Sequence, residues 1–156
     1  MKNITEKIKV NFGLLGRNDI SAFNSLVLSL YREDPHGRKM SAQKIQRTIS
    51  ELTANLNKGS IIMIHAGTET IGYAIVIYYW SNEYGGNIAC IDELYINPAW
   101  RNQGIGSKCI DYIARKFETK FKGMQTETTP NNRRGMLFYK KCGFRPALNR
   151  HLFREL

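Results

Sequence analysis

The residues best suited to chemistry lie between Ile91 and Lys108, in the order Ile-Asp-Glu-Leu-Tyr-Ile-Asn-Pro-Ala-Trp-Arg-Asn-Gln-Gly-Ile-Gly-Ser-Lys. A run of β-type residues carries two adjacent acids, Asp92 and Glu93, and ends at Pro98. The turn that follows, Arg101 to Gly106, opens a helix. The first turn of a helix offers unpaired N–H groups and the positive end of the helix dipole. Glycines let the backbone approach a ligand closely, and phosphate is the natural occupant of such a cradle. Neither common phosphate fingerprint is present. After Gly104 and Gly106 the third glycine position is Cys109, and the Gly-Lys-Ser/Thr of a Walker loop is missing. Metal chemistry is not expected, because Cys90, Cys109 and Cys142 lack ligand spacing and His36, His65 and His151 are isolated.

A second stretch stands about 25 residues downstream: Asn132-Arg-Arg-Gly-Met-Leu-Phe-Tyr139-Lys-Lys-Cys-Gly143-Phe144. Together the two resemble the signatures of the GCN5-related N-acetyltransferase (GNAT) superfamily. The first is similar to its Arg/Gln-x-x-Gly-x-Gly/Ala acyl-CoA motif, read here as Arg101-Asn102-Gln103-Gly104-Ile105-Gly106. The second is similar to Asn-x-x-Ala-x-x-Phe-Tyr-x-x-x-Gly-Phe, with Gly135 in place of the usual Ala. The resemblance implies acetyl transfer from acetyl-CoA to an amine. It implies that N–H groups from Gln103 to Ser107 hold the CoA pyrophosphate, Arg101, Asn102, Gly104, Ile105 and Gly106 being part of that site. It implies that Leu94, Tyr95 and Ile96 pair with the pantetheine arm, and that Asn132 and Tyr139 meet the arm and its sulfur.

Such a reaction makes three demands. The acceptor must lose a proton, because an alkylammonium with a pKa near ~10.4 cannot attack a carbonyl. The oxyanion needs a donor, expected from a backbone N–H near Leu94 or Tyr95. The departing thiolate benefits from an acid, for which Tyr139 is the candidate. Glu93 is the candidate base, acting directly or through a water. Strand alternation puts Asp92 and Glu93 on opposite faces, but a bulge, common beside active sites, would exchange which one faces the cleft. Lys108, Arg133, Arg134, Lys140 and Lys141 are candidates for the CoA 3′-phosphate. Glu33 and Asp34, at the end of the first helix, are candidates for an acceptor cation.

The elements that must position these groups follow from hydrophobic period. A short strand is expected over Ile8–Leu15. Ile20, Phe23, Leu26, Val27, Leu30 and Tyr31 recur at helical spacing, ended by Pro35 and Gly37. Ser41 is a good N-cap for a second helix with the stripe Ile45, Ile49, Leu52 and Leu56 and a stop at Gly59. Three strands follow, over 61–65, 73–80 and 88–97, with turns at Gly67-Thr68 and Gly85-Gly86. A helix spans 104–121, a strand 124–129 and a short helix 132–141, and one or two strands are expected over Phe144–Phe153. The expected architecture is a single α/β (α+β) domain over 1–156. Its sheet is mixed and mostly antiparallel, with helices on both faces; the resemblance adds a V-shaped splay between central strands.

The chain has 156 residues, 23 Lys plus Arg against 13 Asp plus Glu, and a formal net charge of +10. That charge is unevenly spread. Residues 61–100 hold four acids and no base, whereas residues 101–156 hold thirteen bases and four acids. The basic third coincides with the CoA-like motifs, and CoA carries three phosphates. The acid-rich middle favours a small cationic amine as acceptor, with a protein amino group as the alternative. No helix-turn-helix, zinc-finger or RRM-type motif is present, so nucleic acid is not expected as a partner. The first residues lack the apolar core of a signal peptide. The longest apolar run, about Ile71–Trp80, is shorter than the roughly 20 residues that span a bilayer. A soluble, cytoplasmic protein, with a homodimer as the family-level expectation, is the resulting picture.

Overall fold

The computed structural model describes residues 9–35, 38–148 and 151–155. The element order is β1 (Val10–Leu14), α1 (Ile20–Glu33), α2 (Ala42–Ala54), β2 (Gly59–Ala66), β3 (Glu69–Ser81), β4 (Gly86–Ile96), α3 (Ile105–Phe117), β5 (Gly123–Thr126) and α4 (Arg133–Lys141). Short 3-10 turns precede α1 and α3. The strands form one sheet in the order β1-β2-β3-β4-β5. Every pairing is antiparallel except that of β4 with β5, which is parallel.

Strand alternation sends apolar side chains to both faces, and each face carries its own helices. Ile61, Met63, Tyr73, Ile75 and Tyr95 pack against Phe23, Leu26 and Val27 of α1 and Ile45, Ile49 and Leu52 of α2. Ile62, Ile64, Ala74, Val76, Ala89 and Ile91 pack against Ile105, Cys109, Ile110, Ile113 and Phe117 of α3. The α2 stripe therefore forms as its period requires, and Ser41 accepts the Lys44 N–H as the cap. The α/β class, the mixed sheet and the helices on both faces agree with the sequence.

Four expectations need correction. α2 ends at Ala54, Leu56 lies beyond it and is 68% exposed, and Gly59 starts β2 instead of stopping a helix. α3 ends at Phe117, four residues early, because the Lys120 and Phe121 N–H groups both return to the Phe117 carbonyl. β5 stops at Thr126, short of Thr129. The tail forms no strand within 144–148 or 151–155. Pro146 lacks a donor there, and the last residues instead make surface contacts, His151 Nδ1 with Glu127 Oε1 at 2.9 Å and an ion pair of Glu155 with Arg38. Ile8, His36 and Gly37 lie outside the described residues.

Two irregularities in β4 set up the site. β5 pairs only with Ile88–Ile91, so β4 from Glu93 to Ile96 keeps its β3 partner but has none on the β5 side among the described residues. This is the splay. The second is a bulge: Val76 pairs with Ile91 and Ile75 with Glu93, leaving Asp92 as the extra residue.

Candidate active site

The split between β4 and β5 begins just past the Ile91–Thr126 pair, where Thr126 Oγ1 donates to the Ile91 carbonyl at 3.2 Å. On the α3 side, Tyr139 of α4 sits beside this apex, its ring edge-on to Phe138 and Phe144 at 5.0 and 5.4 Å. Burial pushes the Tyr139 phenol up, and the neighbouring Thr126 hydroxyl partly offsets that rise. Such a phenol stays protonated and can serve as a proton donor.

On the opposite side an open groove of about 490 Å³ is lined by Ile77, Tyr79, Cys90, Ile91, Asp92, Gln125, Glu127 and His151. Tyr79 Oη donates to Gln125 Oε1 at 2.6 Å, joining β3 to β5. Asp92 opens into the groove, yet the surrounding wall removes enough water to push its carboxyl above the usual value, and the charge of Glu127 adds to the rise. The Cys90 thiol is pushed up to about 11, first by burial and then by Asp92 and Glu127. It is a poor nucleophile near neutrality. Cys109, buried against the sheet, is pushed up to about 12.

Glu93, named as the base from sequence, does not line this groove. The bulge turns both Asp92 and Glu93 toward the α1 face, and Glu93 passes beneath α1. There Glu93 Oε1 accepts from Tyr31 Oη and Oε2 from Tyr73 Oη, each at 2.7 Å. Burial raises the Glu93 pKa and the two tyrosine donors pull it back. A carboxylate with both oxygens so engaged is a poor candidate for collecting a substrate proton.

The turn after β4 has the shape its glycines suggest. Gly104 has φ +74°, and Asn102 is also left-handed at φ +62°. The first paired N–H of α3 is that of Lys108, bonded to the Gly104 carbonyl. Those of Ile105, Gly106 and Ser107 fall in the helix turn that has no intrahelical acceptor. Gly106 has a packing reason as well, because a Cβ there would lie 3.0 Å from two Phe138 ring atoms, so it sets how closely α3 and α4 approach. Ser107 Oγ receives the Cys142 thiol at 3.7 Å, a second link between these helices.

Other sequence candidates are engaged within the protein. Asn132 Oδ1 accepts the Gly135 N–H at 2.8 Å and caps α4. Gln103 Nε2 reaches the Ala99 carbonyl at 3.5 Å. Arg101 pairs with Glu33 at 2.7 Å, so Glu33 is satisfied by Arg101 and by Tyr95 Oη. Asp34 is the C-cap of α1, its N–H on the Leu30 carbonyl. Arg133, Arg134, Lys140 and Lys141 are exposed on α4. Glu127 and His151 escaped the sequence reading; the strand expected over 124–129 would have put Glu127 on the face of Gln125, although β5 itself ends at Thr126. Among the described residues no cluster of His, Cys, Asp or Glu could hold a metal ion, and no helix is long and apolar enough to cross a membrane.

β4 and β5 part beyond Ile91, the turn opening α3 is left-handed at Asn102 and Gly104, and the half-buried Tyr139 phenol stands beside the apex. The family follows directly, since residues 57–146 match the model of the acetyltransferase (GNAT) domain, and the chain belongs to that family. Thialysine N-epsilon-acetyltransferase of Bos taurus is 31% identical over 78 residues, which span 49% of this chain and 45% of that protein. A "possible acetyltransferase" from Clostridium difficile 630 superposes with TM-score 0.83 at 16% identity, over 94% of this chain and 97% of that one. AAC(6')-Iy in complex with the bisubstrate analogue CoA-S-monomethyl-acetylneamine superposes with TM-score 0.80 at 13% identity, over 95% of this chain and 99% of that one. Fold and family are thus those of GNAT acetyltransferases.

Proposed function

We propose that the protein transfers an acetyl group from acetyl-CoA to a small cationic primary amine by direct attack. The observation that carries this reading is the apex of the split, with a half-buried phenol on one face and a carboxylate-lined groove on the other. The pantetheine arm lies along the free edge of Leu94, Tyr95 and Ile96. The pyrophosphate meets the N–H groups of Gln103, Gly104, Ile105, Gly106 and Ser107, with Asn102 shaping the turn. Asn132 and Tyr139 close over the arm from α4.

The amine enters the groove as a cation, drawn by Asp92 and Glu127. Asp92 takes the base role in place of Glu93, accepting the ammonium proton directly or through a water. Its raised pKa brings it nearer to the amine's, which favours that transfer. The nitrogen lone pair attacks the thioester carbonyl, a backbone N–H near Leu94 or Tyr95 stabilises the oxyanion, and the C–S bond breaks. Tyr139 donates its proton to the leaving thiolate and regains one, through solvent, from the nitrogen as the amide forms, and Asp92 releases the ammonium proton to solvent. The products are an N-acetylamine and CoA, with no covalent acyl-enzyme. The CoA-S-monomethyl-acetylneamine bound by AAC(6')-Iy joins CoA to an aminosugar, a precedent for the substrate class in that protein.

The test is thiol release from acetyl-CoA over a panel of diamines, aminosugars and peptide N-termini, beside calorimetric titration with CoA. Saturable CoA binding with turnover strongest on small dications is expected. Turnover only on peptides would refute the small-amine acceptor, and no CoA binding would refute the whole reading.

A further inference from the structure

The last turn of α1 is tied to β4 by two hydrogen bonds of opposite sense. Tyr31 Oη donates to Glu93 Oε1, and Tyr95 Oη donates to Glu33 Oε1, both at 2.7 Å. Each element presents a tyrosine and a glutamate two residues apart, and each tyrosine meets the other's carboxylate. Glu33 does more. Its Oε2 accepts from Arg101 Nη2 at 2.7 Å, while Arg101 Nε donates to the Ile96 carbonyl at 2.7 Å. The guanidinium lies over the Tyr95 ring, 5.2 Å from its centroid, and the Arg101 side chain is only 21% exposed.

This arrangement bears on the turn that follows. Asn102, the next residue, is a non-glycine in the left-handed region. Such a conformation is strained and persists only where its surroundings hold it. The Asn97 side chain fixes the near end of the segment by accepting the Ala99 N–H, and the Trp100 N–H returns to the Asn97 carbonyl. Arg101 fixes the far end, with a rigid fork shared between α1 and the end of β4. A lysine, with one compact ammonium, has no such fork.

We propose that Arg101 acts as a strut and not as a phosphate ligand, and that Glu33 is the positioning residue that sets it. Together they hold the turn so that its backbone N–H groups are aligned for the CoA pyrophosphate. This rests on the acetyl-CoA site proposed above. It reverses the role that the resemblance implies for Arg101, and it replaces the acceptor-binding role considered for Glu33. A strut and a ligand respond differently to loss of Glu33. Removing Glu33 disables a strut, whereas it frees a ligand to bind phosphate more strongly.

The experiment is calorimetric titration of CoA into the wild type, Glu33→Gln, Arg101→Gln, the double variant and Arg101→Lys, with melting curves and steady-state kinetics for each. Each single variant, Arg101→Lys included, is expected to weaken CoA about tenfold, and the double variant also about tenfold instead of about a hundredfold. The KM for acetyl-CoA should rise by the same factor with kcat within about twofold and every variant folded at the assay temperature. Arg101→Gln weakening CoA while Glu33→Gln leaves or tightens it would overturn the proposal, as would additive losses, no loss, or full rescue by Arg101→Lys. Failure of the wild type to bind CoA would instead strike the acetyl-CoA reading beneath it.

Discussion

The two sides of the β4 opening are built in contrasting ways. The proposed cofactor side is one continuous piece of chain, from Leu94 through the turn to Ser107, completed by α4. The proposed acceptor side gathers Ile77 and Tyr79 from β3, Cys90 and Asp92 from β4, Gln125 and Glu127 from the segment around β5 and His151 from the tail. The difference follows from the chemistry each side would perform. Phosphate is bound through backbone N–H groups, whose alignment is a property of consecutive φ and ψ values, so the recipe must be written in contiguous residues. An ammonium asks only for carboxylates across a cavity of the right width, and these can come from any strands the sheet brings together.

If that contrast is right, charge removal in the groove should spare the cofactor. Asp92→Asn is expected to lower kcat/KM for the amine by ~10²–10⁴-fold, the range of a general base. The CoA dissociation constant should stay within about twofold, a change too small to signal a lost contact. Parallel losses in both would show that the two sides are one unit. Tyr139→Phe probes the hinge of the comparison, because the phenol belongs to the cofactor side but acts at the apex. We expect kcat to fall by about a hundredfold, the lower end for an acid, with CoA binding retained. Unchanged turnover would remove Tyr139 from the chemistry and leave it as packing between Phe138 and Phe144.

The same contrast explains what could be read from the sequence. The helices were legible because their apolar stripes repeat at helical period and bury against the sheet, as Phe23, Leu26 and Val27 do in α1. The turn opening α3 was legible because Gly104 and Gly106 lie one residue apart in the chain. The bulge at Asp92 was not, since an extra residue shows itself only against the partner strand, and strict alternation puts Asp92 and Glu93 on opposite faces. The sequence therefore left open whether Glu93 or Asp92 faces the cleft. The Arg101–Glu33 pair was illegible for a related reason, as Glu33 lies 68 residues away and a six-residue motif holds no trace of it. The tail was read as strand from composition, but β-type residues make a strand only against a free, compatible edge. Its described residues instead lie near Glu127 and Arg38, through His151 and Glu155.

The smallest effect is also the sharpest test of the groove. The Asp92 pKa is raised first by burial and second by the charge of Glu127. As the base, Asp92 must be ionised, so activity is present above its pKa and is lost as pH falls through it. Glu127→Gln removes the like charge and leaves the burial, which lowers the Asp92 pKa. The acid limb of kcat/KM for the amine should therefore move to lower pH in this variant, measured with one amine whose own titration is common to both enzymes. The effect should shrink with added salt, because the groove is open and the Asp92–Glu127 interaction is screened there. A limb that stays in place would place the two carboxylates out of electrostatic reach. Collapse of the turnover itself would mean that Glu127 is the base, shifting the proton acceptor from β4 to the β5 side of the split.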